Sequence, residues 1–159
     1  MDVPDERTWV DMRLSRVIMR DNSEEQWIFL SETGGTRGFP IIIGRSEAQE
    51  IRRVVTGVRP GRPLTHQLTF DSIEALGARL ERVDIVDLRE NTFYARLVLR
   101  EASGGERRVD ARPSDAVAIG LRAGCPIRVA EEVLDQVRTD TSGPDPLPEK
   151  PDPDPDPKE

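Results

Sequence analysis

The sequence predicts an α+β fold, in which one compact domain holds a mixed, largely antiparallel β-sheet packed by three to four helices. Segments with strand and helix patterns are partly segregated along the chain, which favours α+β over a doubly wound parallel sheet. The 159 residues are the usual size of a single domain. Aromatic residues make up only 4% of the chain, so the core must be built from Val, Ile, Leu and Ala.

The first three elements are predicted to be strands. Residues 9–20 alternate apolar and polar side chains, as a half-buried strand does. Residues 26–32 and 37–44 give two more strands on either side of the turn at Gly34-Gly35. The third segment is apolar throughout, which predicts a strand covered on both faces.

Two helices come next. In the segment 44–57, which predicts a helix ending near Gly57, Ser46 precedes Gln49 by three residues, the spacing of a capping box. In the helix predicted over 64–80, Thr65 is the expected N-cap.

The second half of the chain reads as a three-stranded meander followed by a helix, a strand and a helix. Asn91 marks a polar corner inside the meander, and Pro113 suits the first position of the next helix. The predicted bounds are 82–90, 92–102 and 106–112 for the strands, 113–124 for the helix, 126–130 for the strand and 131–137 for the closing helix.

The charge of the chain is unevenly distributed. Residues 140–159 contain seven acids and two lysines, a net charge of -5, which leaves -2 of the total -7 for residues 1–139. The proline and acid pattern of the C-terminal segment predicts a disordered tail over 139–159 after a folded domain over 1–138. All basic residues of the domain are arginines, whose planar fork suits phosphate, although a compositional bias explains the same usage.

The common catalytic signatures are missing. The sequence has no P-loop, no Gly-rich dinucleotide motif, no zinc-protease motif and no hydrolase serine motif. Cys125 is the only cysteine, which excludes a disulfide framework and a cysteine-based zinc site. No apolar run is long enough to span a bilayer, and the N-terminus has no signal pattern, so a cytoplasmic protein is expected.

Two short stretches could carry chemistry. His66, the only histidine, is expected in a first helical turn, where it could act as a general base or only satisfy a local hydrogen bond. Arg112, Ser114 and Asp115 stand at a strand-to-helix junction and could form a phosphate pocket, with Asp115 binding a metal or orienting His66. In the alternative, Ser114 and Asp115 stabilise the helix start and Arg112 pairs with Asp110 or Asp115.

Four segments together resemble the signature blocks of the bifunctional nuclease family, a bacterial and plant domain. They are "FPIIIGRSEAQEI", "RPLTHQL", "NTFYARLVL" and "DARPSDAVAIGLRAGCPIRV". The resemblance covers roughly residues 9–137 and implies a compact α+β domain that self-associates and cleaves both DNA and RNA.

On that resemblance we expect a phosphodiester nuclease with His66, Arg112 and Asp115 as catalytic residues. Arg62 and Ser114 are the expected phosphate-binding residues, and Glu47 and Asp115 the expected ligands of Mg²⁺ or Mn²⁺. DNA or RNA is the expected substrate, and a homo-oligomer the expected assembly. A non-catalytic nucleic-acid or ligand-binding module and an oligomeric interaction protein are the alternatives.

The chain departs from the family pattern at two positions. Gln67 stands where the family has an aspartate after Thr-His, and Ile42 stands where the family has an aromatic residue. An amide cannot act as a base and is a poorer ligand for a divalent ion than a carboxylate. If the family's aspartate is catalytic, activity should be impaired here; if it only caps or pairs, Gln67 can replace it.

Overall fold

The computed structural model describes residues 5–140, and of residues 139 and 140 the backbone only. This part of the chain forms eight strands and four helices. In chain order they are β1 (Trp9–Ile18), β2 (Glu25–Glu32), β3 (Arg37–Gly44), α1 (Arg45–Thr56), α2 (Thr65–Ala75), β4 (Arg79–Arg89), β5 (Thr92–Arg100), β6 (Glu106–Ala111), α3 (Pro113–Ala123), β7 (Ile127–Ala130), α4 (Glu131–Val137) and β8 (Thr139–Asp140).

The strands form one sheet in the order β6-β5-β4-β7-β1-β2-β3-β8. Only β4 and β7 pair in parallel, and the remaining neighbours are antiparallel. The predicted α+β fold with a mixed, largely antiparallel sheet is confirmed. Thr139 and Asp140, at the start of the predicted tail, form β8, which pairs with β3 at one end of the sheet. The rest of the predicted tail, 141–159, lies outside the described residues.

Helix α3 is the central helix of the layer that covers the sheet. It contacts α1 and α2 and lies against β4 and β5. Gly120 permits this close approach, because a Cβ atom at that position would lie 2.7 Å from Cγ2 of Val83 on β4. The core is built mainly from Val, Ile, Leu and Ala, as predicted, with buried Met12, Phe29 and Phe39. Within residues 5–140, no helix is both long enough and apolar enough to cross a membrane.

The predicted helix caps are wrong. Helix α1 begins at Arg45, one residue before Ser46. Its N-cap is Gly44, which has an extended backbone, and no side chain caps the helix by a hydrogen bond. Helix α2 begins at Thr65 itself, so its N-cap is Leu64 and not Thr65. The position of Pro113 as the first residue of α3 is confirmed.

The prediction that β3 is covered on both faces is also wrong. Ile42 is 51% exposed, while its neighbours Ile41 and Ile43 are buried. The strand is part of an antiparallel pair with alternating faces, and its apolar composition concealed that alternation.

The face of the sheet away from the core carries a row of alternating charges, which we call the charged row. It runs across five strands as Asp11, Arg128, Asp84, Arg96 and Asp110, each directly opposite the next. Asp84 at its centre is fully buried and accepts hydrogen bonds from both neighbouring arginines. Several of the arginines thus serve ion pairs within the sheet.

Candidate active site

The first turns of α1 and α2 and the start of α3 bring four charged or titratable side chains together. Glu47 comes from α1, His66 from α2, and Arg112 and Asp115 from the start of α3. Each helix begins directly after a strand or loop in extended conformation, which sets the direction of its first turn. We call these four residues the helix-start cluster.

Asp115 is the centre of the helix-start cluster. Its Oδ1 atom lies 2.8 Å from Nε2 of His66, and its Oδ2 atom accepts a hydrogen bond of 2.8 Å from Nε of Arg112. Nη2 of Arg112 donates to Oδ1 of Asp115 at 3.2 Å and to Oε1 of Glu47 at 2.9 Å. Arg112 therefore pairs with Asp115 and not with Asp110, and Asp115 orients His66 in the same arrangement.

The charge of Asp115 determines the tautomer of His66. Burial raises the pKa of the Asp115 carboxyl, but the hydrogen bonds from Arg112 and His66 outweigh burial and hold the pKa below its ordinary value. An ionised carboxylate can only accept hydrogen bonds, so Nε2 of His66 must carry the proton that it donates. In the neutral ring, Nδ1 is then the nitrogen with a free lone pair.

Arg112 can contact a ligand without leaving its partners. Its side chain is 68% exposed. The hydrogen bonds of Asp115 and then of Glu47 raise the pKa of its guanidinium, which stays charged. Nη1 of Arg112 makes no hydrogen bond within residues 5–140, so its two N–H groups can donate to a phosphate oxygen.

The predicted metal ligands do not fit a metal ion while Arg112 stands between them. Glu47 and Asp115 bind the same guanidinium nitrogen, which occupies the space that a shared cation would need. Among the described residues, no group of three or more His, Cys, Asp or Glu side chains could hold a metal ion. Carboxylate oxygens are nevertheless the ligands that Mg²⁺ accepts.

The two predicted phosphate-binding residues line different pockets. Ser114 is buried and lines one groove together with Arg112. Arg62 lies in the loop between α1 and α2 and lines a second cleft, together with Arg59, Gln67 and Arg122. Among the described residues, no hydrogen bond joins Arg62 or Ser114 to His66 or Asp115.

A second polar cluster joins the same three helices deeper in the layer. Glu50 of α1 is almost fully buried and accepts hydrogen bonds from Arg53 and Arg122. Burial raises the pKa of Glu50, but these two arginines lower it by more, so the carboxyl keeps its charge. Sequence reasoning missed the role of Arg122, although it stands seven residues, two helical turns, after Asp115 and so on the same face of α3.

Gln67 belongs to this second cluster and not to the helix-start cluster. Its Oε1 atom accepts a hydrogen bond from Arg122, and its Nε2 atom donates to Oδ1 of Asp71 at 2.5 Å. An aspartate at this position could also accept from Arg122. The contacts of Gln67 therefore indicate a structural role, in which it ties α2 to α3 next to His66.

We expect Gln67→Asp to change the rate of cleavage by less than about 10-fold, because the new carboxylate keeps the bond to Arg122. Gln67→Ala should lower the free energy of unfolding by about 1–2 kcal/mol, because Arg122 loses an acceptor. Urea denaturation and a cleavage assay measure both effects, with Gln49→Ala, an exposed position on α1, as the control. A large gain of activity in Gln67→Asp would instead place the family's aspartate in the reaction.

Comparison with known proteins agrees with the resemblance of the signature blocks. The model of the bifunctional nuclease domain matches residues 28–142, which include the whole helix-start cluster. An uncharacterized protein of Mycobacterium tuberculosis is 46% identical over 126 residues, which cover 79% of this chain and 74% of that protein.

The similar proteins with a named activity come from plants and are more distant. Bifunctional nuclease 1 of Oryza sativa subsp. indica is 26% identical over 118 residues, and bifunctional nuclease 2 of Arabidopsis thaliana is 28% identical over 108 residues. The matches cover 72% and 65% of this chain but only 36% and 33% of the plant proteins. The family model covers most of the chain and all four residues of the helix-start cluster, and so the chain belongs to the bifunctional nuclease domain family.

Proposed function

We propose that the chain hydrolyses phosphodiester bonds of DNA and RNA in the cytoplasm, with the helix-start cluster as the active site. The observation that carries the proposal is the hydrogen bond between Nε2 of His66 and the Asp115 carboxylate. It leaves Nδ1 as a base held in a fixed orientation by a partly buried carboxylate, the arrangement that general-base catalysis requires.

Water is the proposed nucleophile. DNA has no 2′-hydroxyl group, so an enzyme that cleaves both nucleic acids cannot depend on attack by the sugar. Nδ1 of His66 takes a proton from the water molecule as its oxygen forms a bond to phosphorus. The bond from phosphorus to the leaving oxygen then breaks, and the imidazolium returns the proton to that oxygen. Asp115 stabilises the imidazolium between the two steps.

Arg112 is the proposed contact for the scissile phosphate. Its Nη1 group has no hydrogen-bond partner among the described residues. Asp115 and Glu47 hold the rest of the side chain in place. With neutral His66, the two carboxylates and one guanidinium give the helix-start cluster a net charge of -1, which disfavours a phosphate. Additional positive charge is needed, and Arg62 in the adjacent cleft is the proposed source of part of it.

Assistance by Mg²⁺ or Mn²⁺ is a further part of the proposal. A bound ion would supply positive charge to the phosphate and would lower the pKa of its water. Glu47 and Asp115 could hold it only if Arg112 moved away from one of them. The chemistry proposed for His66 and Asp115 does not depend on that movement.

We also propose self-association. Helix α2 contains no buried residue, and Leu64 and Leu68 expose large parts of their side chains at its start. A face of this kind supports contact with another protein surface, and the resemblance to the family supports a second copy. Sedimentation velocity over a range of concentrations tests this.

The test of the proposed function is cleavage of single- and double-stranded DNA and RNA by the purified full chain, with Mg²⁺, Mn²⁺ or EDTA. Arg112→Ala should lose most of the cleavage, since it loses the phosphate contact, removes the arginine partner of Glu47 and leaves Asp115 with His66 alone. Arg107→Ala is the matched control, because Arg107 is a similarly exposed arginine near the other end of β6 and pairs with Glu101, which is not part of the helix-start cluster.

Cleavage by the wild type and by Arg107→Ala, but not by Arg112→Ala, supports the nuclease and its site together. Equal cleavage by all three proteins indicates a contaminating nuclease. Binding without cleavage by any of them favours a nucleic-acid-binding module, an alternative that gains weight from the mutual pairing of Glu47, Arg112 and Asp115. Activity that survives EDTA excludes the metal-assisted form.

A further inference from the structure

An apolar groove lies directly beside the helix-start cluster. It encloses about 780 Å³ between the β2–β3 hairpin, the turn that joins β4 to β5, and the first residues of α3. This volume is within the range of small-molecule sites, roughly 300–1,000 Å³. Its apolar wall includes Trp27, Ile42, Leu88 and Phe93.

The groove and the helix-start cluster share a residue. Arg112 lines the groove and at the same time binds Asp115 and Glu47. Ser114 lines the groove from the first turn of α3, one residue before Asp115. If the phosphate of a bound molecule contacted Arg112, the part of the molecule attached to that phosphate would therefore lie in the groove.

Strand pairing explains why the groove is apolar at this point. Trp27 of β2 lies directly opposite Ile42 of β3, so their side chains project from the same face of the hairpin. Ile42 is half exposed and Trp27 is partly buried, which leaves apolar surface in contact with water. Phe93 also lines the groove, and it stacks on the buried Phe39 at 5.4 Å between ring centroids.

We infer that this groove binds an unpaired nucleobase of the strand whose phosphate contacts Arg112, an inference that rests on the proposed function. A base has two apolar faces, which suit a wall of Trp27 and Ile42, and polar edges that need hydrogen-bond partners. The rim supplies such partners in the amide of Asn91 and the carboxylates of Glu24 and Glu25. These carboxylates repel a phosphate, whereas Arg112 attracts it, so the charges favour one orientation of the nucleotide.

The inference specifies a class of substrate. A base stacked within a duplex cannot enter a groove in the protein unless it leaves the stack, at a cost of a few kcal/mol. Single-stranded DNA and RNA do not require that step. The groove therefore predicts tighter binding and faster cleavage of single strands than of blunt duplexes.

The decisive experiment measures how tightly variants at Ile42 bind a single-stranded oligonucleotide. Ile42→Glu should weaken binding of a fluorescein-labelled single-stranded oligonucleotide about 5- to 100-fold, the loss typical of one stacked base. Val55→Glu is the matched control, since Val55 is 59% exposed on α1, is β-branched, and does not line the groove. Ile42→Trp should strengthen binding, because it enlarges the stacking surface. All variants, and the wild-type reference, carry His66→Ala, which slows cutting of the strand during the titration.

A second oligonucleotide separates base stacking from charge repulsion. In a strand with abasic sites the phosphates remain but the bases are absent. The inference requires that Ile42→Glu weaken binding of the normal strand much more than binding of the abasic strand. It is overturned if both strands lose equally, if Val55→Glu loses as much, or if the wild type binds a duplex as tightly as a single strand.

Two further outcomes are distinguishable. If Ile42→Glu abolishes a dimer seen by sedimentation velocity and leaves base-dependent binding intact, the groove is an interface between copies and the inference is overturned. If base-dependent binding is as expected but the wild type cleaves nothing, the inference stands and the proposed enzymatic function fails. Cleavage that Ile42→Glu leaves unchanged in rate and strand preference supports the enzyme and overturns the groove.

Discussion

Replacement of His66 by alanine is expected to reduce phosphodiester cleavage about 10²- to 10⁴-fold, the usual contribution of a general acid–base group. The variant should remain folded, because α2 has no fully buried side chain and Asp115 keeps its hydrogen bonds from Arg112. Single-turnover cleavage rates, with circular dichroism to establish folding, measure the effect.

Asp115→Asn tests the orientation of His66 separately from its presence. An asparagine amide can donate to the imidazole, which favours the tautomer with its proton on Nδ1 and removes the base. Thr69→Ala is the control, because Thr69 lies one turn after His66 and bonds only to the backbone of its own helix.

Full activity of His66→Ala would remove the histidine from the mechanism and return it to a structural role.

Asp84→Asn is expected to have the largest effect on stability, a loss of roughly 3–5 kcal/mol in the free energy of unfolding. Asp84 is fully buried, and its carboxylate lies within 2.5–3.4 Å of nitrogen atoms of Arg82, Arg96 and Arg128. The neutral amide would leave these three guanidinium groups crowded on one sheet face with too little negative charge. Urea denaturation at neutral pH measures the loss.

Asp87→Asn is the matched control for Asp84→Asn. Asp87 lies on the same strand and also pairs with an arginine, Arg89, but both side chains are well exposed. Exposed pairs contribute roughly 0–1 kcal/mol, so this variant should be nearly as stable as the wild type. Equal effects of the two substitutions would show that the charged row is not anchored at Asp84.

Arg96 and Arg128 have a second partner in Trp9. Their guanidinium groups lie 5.6 Å and 4.2 Å from the centre of the indole ring. Because cations attract the face of an aromatic ring, Trp9 helps to hold both arginines over Asp84. The N-terminal strand is thereby tied to β5 and β7 through side chains as well as through its backbone.

Most of the fold could be predicted from local patterns. Alternation over 9–20, the turn at Gly34-Gly35 and the position of Pro113 are properties of neighbouring residues, and the structure agrees with the elements they predict. The caps could not be predicted, because a backbone that is already extended after a strand can start a helix without Ser46 or Thr65. The exposure of Ile42 follows from the register of the β2–β3 hairpin. The turn at Gly34-Gly35 implies that register, but the apolar composition of β3 obscures which side chains face water.

The candidate site depended on contacts between distant parts of the chain. Glu47 and Arg112 are 65 residues apart, and His66 and Asp115 are 49 apart. No spacing rule joins them, and only the resemblance to a family placed them in one site. The roles of Arg62, Ser114 and the metal stay predictions. Sequence reasoning missed the groove at Trp27 and Ile42, since it requires both the hairpin and the start of α3.

Helix α2 carries the proposed base, yet it contributes no fully buried side chain to the core, against which its Phe70 and Ile73 pack only in part. Helix α3 serves both the core and the proposed reaction, whereas α2 serves mainly the reaction. The sheet and α3 determine whether the domain folds, whereas α2 and its polar contacts determine whether His66 meets Asp115. Substitutions at the exposed positions of α2 can accumulate at little cost in stability. Over evolutionary time, this scaffold can gain, lose or redirect its chemistry while its architecture stays the same.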